Sequence, residues 1–362
     1  MPITVDLDGL KSSQLVVRPH ALTEMMALLH ALTEQSHHRE RSRELSSIER
    51  RISPSLRKEI GRYSPLWARF RIRALMPLSH SEVHLSPESE IAELQDLSTA
   101  AFSTMVSEAV AGRRLPPHLI GDPAADEFLE ICRRRSEQSF NLAKKLVDPE
   151  CFKHDFLEFV SNVFDDFFGM IWNSVFRELR PEVAETQALL NKGNLNAVFS
   201  SISPQAYFIK SSSKLVFDKL QDAVVDTRDR TIVLVPSNWA TPHITVKYDK
   251  FYGGTELPIV ICYPVIRGHD TSQNLSALQE RMQVLSDPSR SDLIRHLVSE
   301  ACTTSDLASR TGMTRPQVSR HLGKLRDVGL LGSERHGRHV KHRLKTEMIY
   351  QVGVNFVRTL TR

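Results

Sequence analysis

Five polar side chains near the carboxy terminus have the types and spacing to act together: Gln317, Ser319, Arg320, His321 and Lys324. A helix turns about 100° per residue, which gathers Val318, Leu322 and Leu325 within about 60° of one another as an inward stripe. Gln317, Arg320 and Lys324 then point outward, flanked by Ser319 and His321. A guanidinium can bind guanine at two atoms, a carboxamide can do the same for adenine, and a hydroxyl can donate or accept. Such a face suits the reading of base-pair edges. It suits a plain solvated helix equally, so the surrounding elements must decide.

Those elements form an ordered series. Ser305 to Arg310 reads as a short helix that buries Leu307 and Ala308, and Thr311-Gly312 turns the chain because glycine accepts a positive φ. Thr314 is a good N-cap, Gln317 supplies the reciprocal half of a capping box, and Pro316 sits harmlessly in the first turn. Thr314, Arg315 and Pro316 lead the outward face and join its candidate contacts. Two short helices about a glycine turn have the layout of a helix-turn-helix, whose second helix enters the major groove. Upstream, Leu275, Leu278, Met282 and Leu285 mark one amphipathic helix. Asp287 caps another that begins at Pro288 and carries Leu293, Ile294, Leu297 and Val298 as its buried stripe. Downstream, 330–335 and 338–344 alternate about His336-Gly337 as a hairpin, a wing whose Arg335, Arg338, His339 and Lys341 would reach phosphates or the minor groove. The last segment, 346–361, aligns Ile349, Val352, Phe356 and Leu360 on one face. With Leu275, Leu278 and Met282 these are the candidate dimer contacts, and two-fold dimers match palindromic sites.

At these residues the chain resembles the ArsR family of bacterial winged-helix repressors. The resemblance is carried in order by Leu285-Ser286-Asp287-Pro288-Ser289-Arg290, Asp306-Leu307-Ala308, Val318-Ser319-Arg320-His321-Leu322-Gly323-Lys324-Leu325, Gly329-Leu330 and Gly337-Arg338. It implies a homodimer that binds an inverted repeat and represses. Many members sense a metal through a CxC just before the Asp-Leu-Ala stretch, but here Thr303 and Ser305 occupy those positions with Cys302 alone nearby. The last helix lacks the Asp/His/Glu set of the family's other metal site. His336, His339 and His342 lie on a hairpin where strand parity sets His339 opposite to His342. The expectation is therefore a metal-independent regulator with no cofactor. The long region ahead is similar to that of a subgroup of ArsR-like regulators with an uncharacterised N-terminal part, through Leu234-Val235-Pro236-Ser237, Pro242 and Cys262-Tyr263-Pro264.

Charge follows the same division. Residues 274–345 hold 13 Lys+Arg against 7 Asp+Glu, whereas residues 1–273 hold 32 against 35. Positive charge gathered on one small domain fits a polyanionic partner, and fits a solvated surface too. With 362 residues, 41% hydrophobic and 25% charged, the chain has the make-up of a soluble globular protein of two or three domains. No secretory signal and no run of ~18 apolar residues is visible. The four widely spaced cysteines suggest reduced thiols. A cytoplasmic, nucleoid-associated protein without membrane contact is expected.

In the first 270 residues, 3–7 alternates as a strand and Pro19 to about Gln35 has helical apolar spacing. Residues 39–73 carry 11 Lys+Arg against 4 Asp+Glu, either further phosphate contacts or a charged helical surface. The stretch from Pro149 to Leu179 is rich in aromatics at intervals of three and four and predicts a helix buried on most of its circumference. Its Phe156, Phe159, Phe167 and Trp172 either fill a core or line an apolar effector pocket. Short β-rich runs at 206–209, 231–235, 243–248 and 258–263 predict a small antiparallel sheet, and 268–274 a polar linker. No phosphate loop, HExxH, GxSxG or zinc spacing is present, so no enzyme is expected. His37-His38 reads as part of a solvated helical face and Asp165-Asp166 as a wet edge.

The expected architecture is mainly α with small β: an α+β domain over 1–270 and a winged helix-turn-helix over 271–362. The expected function is a sequence-specific DNA-binding transcriptional regulator, a dimeric repressor whose N-terminal domain senses a small molecule or a partner. The alternative makes that domain a pocketless interaction platform, in an activator or architectural DNA binder.

Overall fold

The computed structural model describes residues 2–35, 38, 41–68, 70–81, 85–202, 206–209, 213–218, 223–241, 243–252, 254–265, 275–336, 339–345, 348–349 and 352. Contacts divide the chain into two compact units, Met1–Val265 and Ile266–Arg362. The expected linker over 268–274 lies outside the described residues.

In the first unit the strands are β1 (Pro2–Asp6), β2 (Leu15–Val17), β3 (Ala206–Ile209), β4 (Lys214–Asp218), β5 (Ala223–Asp226), β6 (Ile232–Ser237), β7 (Thr245–Lys247), β8 (Phe251–Tyr252), β9 (Thr255–Glu256) and β10 (Ile259–Pro264). The helices between them are α1 (Ala21–Thr33), α2 (Ser42–Glu49), α3 (Pro54–Tyr63), α4 (Pro87–Asp96), α5 (Thr99–Ala111), α6 (Asp126–Arg135), α7 (Glu137–Ala143), α8 (Pro149–Val163), α9 (Gly169–Asn191) and α10 (Leu195–Ile202). The α+β class is as expected, but the expected antiparallel sheet is replaced by two mixed sheets, ordered β3-β4-β1-β5 and β2-β6-β10-β7. β1 runs parallel to β5 and antiparallel to β4. β2, β6 and β10 are parallel to one another, with β7 antiparallel at the edge. The amino-terminal strands return over long distances to pair with the late ones, and adjacency in sequence cannot show such pairing.

β6 and β10 are buried along their whole length, as parallel strands covered on both faces are. Their alternation divides two cores. Val233, Val235, Val260 and Cys262 face the helices, while Ile232, Leu234, Ile259 and Ile261 face a second cluster shared with β1, β4 and α10.

α8 runs through a wide turn at Phe164–Phe168 into α9. Gly169 admits this turn, since a Cβ there would meet the Phe164 carbonyl oxygen at 3.1 Å. Phe156 packs ring to ring with Tyr63 and Phe102, and Phe159 packs with Tyr63 and stacks on Trp67. Phe167 and Trp172 join the same core. All four side chains, Phe156, Phe159, Phe167 and Trp172, are buried in this one cluster. The helix is less enclosed than its aromatic content implies: Phe164 and Phe176 are half-buried, Met170 is exposed, and Asp165 and Asp166 form its wet edge.

The basic stretch 39–73 fits neither of its expected readings entirely. Arg50, Arg51 and Arg57 are exposed, but Arg71 and Arg73 are interior struts. Arg73 donates to the Pro77 and Pro258 carbonyls, and Arg71 to the Thr245 hydroxyl. His38 is likewise buried, correcting its assignment to a solvated face; His37 lies outside the described residues. Beyond α1, Arg41 donates to the Asn238 carbonyl on the loop following β6 and lies 3.4 Å over Trp239, and the His38 ring packs against His243 of the same loop.

α1 is enclosed from Ala21 to Ala31. Its first backbone donors, Ala21 and Leu22 N–H, reach the carboxylate of Glu90 on α4 at 3.1 and 2.9 Å. Glu90→Ala would orphan both donors in a dry interior and is expected to destabilise this unit by about 3 kcal/mol, whereas exposed Gln95→Ala on the same helix should cost less than about 0.5 kcal/mol. All three tryptophans (Trp67, Trp172, Trp239) lie in this unit, so fluorescence during urea unfolding reads it directly.

Candidate nucleic-acid interface

The second unit is built from α11 (Leu275–Leu285), α12 (Pro288–Ser299), β11 (Cys302–Thr303), α13 (Thr304–Thr311), α14 (Arg315–Asp327), β12 (Leu331–His336) and β13 (His339–Leu344). This is a winged helix. Its core joins Leu293 and Leu297 of α12, Leu307 of α13, Val318, Leu322 and Leu325 of α14, and Leu331 and Leu344 of the wing. Val298, expected in the α12 stripe, is 49% exposed, and Ile294 is only half-buried. The inward arc of that helix is thus narrower than its apolar content, since α11, α13, α14 and β13 pack against it and still leave Val298 uncovered.

The starts of α12, α13 and α14 are each fixed by a local hydrogen bond. Asp287 accepts from the Arg290 N–H at 3.0 Å and caps α12. That backbone bond, with the charges of Arg290 and half-buried His321, holds the Asp287 carboxyl below the usual carboxylate range. Thr303 and Asp306 form a capping box at α13, and the Thr303 N–H likewise lowers Asp306. Gly312 ends α13 at φ +69°. Thr314 and Gln317 form the second box: the Thr314 hydroxyl accepts from the Gln317 N–H, and Gln317 Oε1 accepts from the Thr314 N–H at 2.8 Å and from its hydroxyl at 2.9 Å.

Thr314, Arg315, Pro316, Gln317, Ser319, Arg320 and Lys324 are all exposed along one side of α14. In the wing, Ser333 lies opposite His342 and Glu334 opposite Lys341. Lys341 is exposed while His342 is buried, its ring nitrogens 2.8 Å from the Ser333 hydroxyl and 3.3 Å from that of Thr304. Burial lowers the His342 pKa, so this ring is a neutral packing and hydrogen-bonding element. Arg335 and His339 occupy β12 and β13, and Arg338 lies outside the described residues. β11, which pairs with β13, escaped the sequence reading because two residues are too few to show alternation.

The charges differ in how they are used. Arg290, Arg295 and Arg310 pair with Asp287, Asp292 and Glu300. Among the described residues Arg315, Arg320, Lys324 and Lys341 make no ion pair. A capped helix presenting cations that no carboxylate engages among the described residues, with a further cation on the hairpin, can bind phosphates and base edges, while the Gln317 carboxamide oxygen is held by Thr314.

Of the expected dimer contacts, Leu278 and Val352 are buried, Met282 and Ile349 are half-buried, and Leu275 opens α11. Phe356 and Leu360 lie outside the described residues. Cys302 is buried in β11 beside Arg310.

Comparison with known proteins gives two matches along the chain. Residues 1–269 match a family of unknown function (DUF5937), and residues 285–333 match a helix-turn-helix domain. The HTH-type transcriptional regulator CmtR of Mycobacterium tuberculosis is 38% identical over 69 residues, 19% of this chain and 58% of that protein. KmtR of the same organism, also an HTH-type transcriptional regulator, is 31% identical over 78 residues, 22% of this chain and 60% of that protein. This chain therefore spans less than two thirds of either relative. Among solved structures, an ArsR-like transcriptional regulator from Rhodococcus sp. RHA1 overlays 24% of this chain and 81% of its own at 24% identity and a TM-score of 0.23. The winged helix-turn-helix domain of Mb0332 from Mycobacterium bovis overlays 26% of this chain and 87% of its own at 19% identity and a TM-score of 0.22.

Thr314→Ala removes the hydroxyl half of the second box and is expected to destabilise the winged helix by about 1 kcal/mol, with Thr314→Ser close to wild type. Differential scanning calorimetry, or hydrogen exchange of the α14 amides, measures the difference.

Proposed function

The chain belongs to the family of unknown function DUF5937, and we propose that it is a sequence-specific transcriptional regulator that binds duplex DNA through α14 and its wing. The helix-turn-helix assigns it to DNA-binding regulators. In the proposed complex Gln317, Ser319, Arg320 and His321 read bases, and Thr314, Arg315 and Pro316 approach at the leading end of α14. Lys324, Arg335, Arg338, His339 and Lys341 hold backbone phosphates. The observation that carries this reading is the cationic side of α14, exposed and without ion pairs among the described residues, together with the exposed Lys341 of the wing.

The regulator is proposed to act as a homodimeric repressor on an inverted repeat in the cytoplasm, with α11 and the terminal segment at the dimer contact. What supports that placement is the helical spacing of Leu275, Leu278 and Met282 and of Ile349, Val352, Phe356 and Leu360; Leu278 and Val352 are already covered within the one chain. The winged helix itself is taken to work without a metal, since Cys302 stands alone beside Thr303 and Ser305. The first unit, with its own two cores, is assigned the sensing of an effector or partner. Among the described residues no helix is long and apolar enough to cross a membrane.

Arg320→Ala is expected to cost about 1–3 kcal/mol against the specific site and to relax preference there. Lys341→Ala should weaken all sequences alike and reduce the salt slope by about one unit. Fluorescence anisotropy on DNA selected by the purified protein, at several salt concentrations, measures both. Unchanged affinity and preference in Arg320→Ala would remove α14 from the interface.

A further inference from the structure

Three histidines that no sequence motif connects meet inside the first unit. His30 lies in the last turn of α1, His38 follows that helix, and His243 lies on the loop between β6 and β7. One ring nitrogen from each falls within 4.8 Å of the other two. The ring centroids are 5.2 Å apart for His30–His38, 5.3 Å for His30–His243 and 5.9 Å for His38–His243. The ring planes stand at 82°, 73° and 75° to one another, and it is the mutual nearness of one nitrogen from each ring that lets a single ion reach all three.

These distances can be compared with what an ion requires. A tetrahedral ion with Zn–N bonds of about 2.0–2.1 Å sets the centroids of two imidazole ligands about 5 Å apart. The two pairs that include His30 already meet this spacing, and the third needs to close by less than about 1 Å. His30 and His38 are buried and His243 is half-buried, so the cluster is largely enclosed with one side toward the surface. The segments bearing the rings are held from outside the cluster. The His243 N–H donates to the Ala240 carbonyl at 2.6 Å, and the His38 N–H to that of Gln35 at 3.1 Å. The Asn238 N–H donates to Glu24 of α1 at 3.0 Å, while Arg41 clasps Asn238 and Trp239. The group lies beyond the carboxyl end of β6 in its parallel sheet, the edge at which such sheets commonly bind ligands.

We propose that His30, His38 and His243 bind one transition-metal ion of the imidazole-preferring class, zinc foremost, with the fourth position open to water or a small ligand. The ion would join the end of α1 to the β6–β7 loop. The proposal is independent of the DNA reading, and it limits the metal-independent assignment to the winged helix alone.

The test uses the full chain, stripped with chelator and titrated with zinc and with cobalt(II). Binding of one ion per chain is expected, with the visible absorption of a low-symmetry, nitrogen- and oxygen-ligated cobalt site. His30→Gln, His38→Gln and His243→Gln should each weaken zinc binding by more than about 100-fold, since losing a direct ligand exceeds the ~10–100-fold cost of losing an outer-sphere partner. Circular dichroism of the metal-free variants separates lost ligation from lost folding. A second measurement needs no variant: zinc should protect these three histidines of the wild-type protein from diethyl pyrocarbonate, as mapped by mass spectrometry. Failure of the wild type to bind zinc or cobalt below millimolar concentration overturns the proposal. So does zinc protection confined to His336, His339 and His342, or binding that survives in all three folded variants.

Discussion

A helix enclosed on every side must find each polar partner inside the protein, and in the first unit that constraint falls on α1. Glu90 takes its leading backbone donors, and the Thr23 hydroxyl donates to the Leu75 carbonyl. Thr33 receives the Trp67 indole N–H, and Glu24 receives the Asn238 N–H. These bonds come from α4, from the segment after α3 and from the loop after β6, so satisfying one helix fixes the placement of three distant stretches. The parallel sheet follows from the same enclosure, since its fully apolar strands need helices on one face and the second core on the other. The second unit works with opposite means. Its one core is small, and caps at Asp287, Thr303 and Thr314 define where α12, α13 and α14 begin.

Legibility in the sequence divided along that line. The winged helix could be read because its determinants are local: an N-cap lies three residues from its partner, a glycine turn stands beside the helix that it ends, and a hairpin alternates about its own tip. The outward arc of α14 follows from the spacing of Val318, Leu322 and Leu325 alone. In the first unit the determinants are distant. β2 is three residues long and lies far in sequence from its partner β6. The small sheet was therefore expected to be antiparallel, from neighbours in sequence, where long-range parallel pairing prevails. Arg71 and Arg73 look like surface charge until Thr245, Pro77 and Pro258 are seen to receive them.

The histidine cluster was hidden for the same reason. His30 sits among Met26, Leu28 and Leu29, where a single imidazole reads as one polar interruption of an apolar stripe. His38 has a histidine beside it that draws the eye to the wrong pairing, and His243 lies on a loop without ligand spacing. Only the seating of His38 and Arg41 against the loop after β6 brings the three together. The aromatic helix gave a different lesson: composition announced burial correctly at Phe156 and Phe159, but the wide turn at Phe164–Phe168 rotates the following residues and leaves Met170 in water.

One small bond in the second unit bears on how such a protein can diverge. The carboxamide oxygen of Gln317 is committed to the start of its own helix, so replacing that residue alters folding together with whatever the surface recognises. Ser319 and Arg320 carry no such obligation among the described residues. Substitution on this face is therefore tolerated first at Ser319 and Arg320, while Gln317 is held in place by its duty to the helix start.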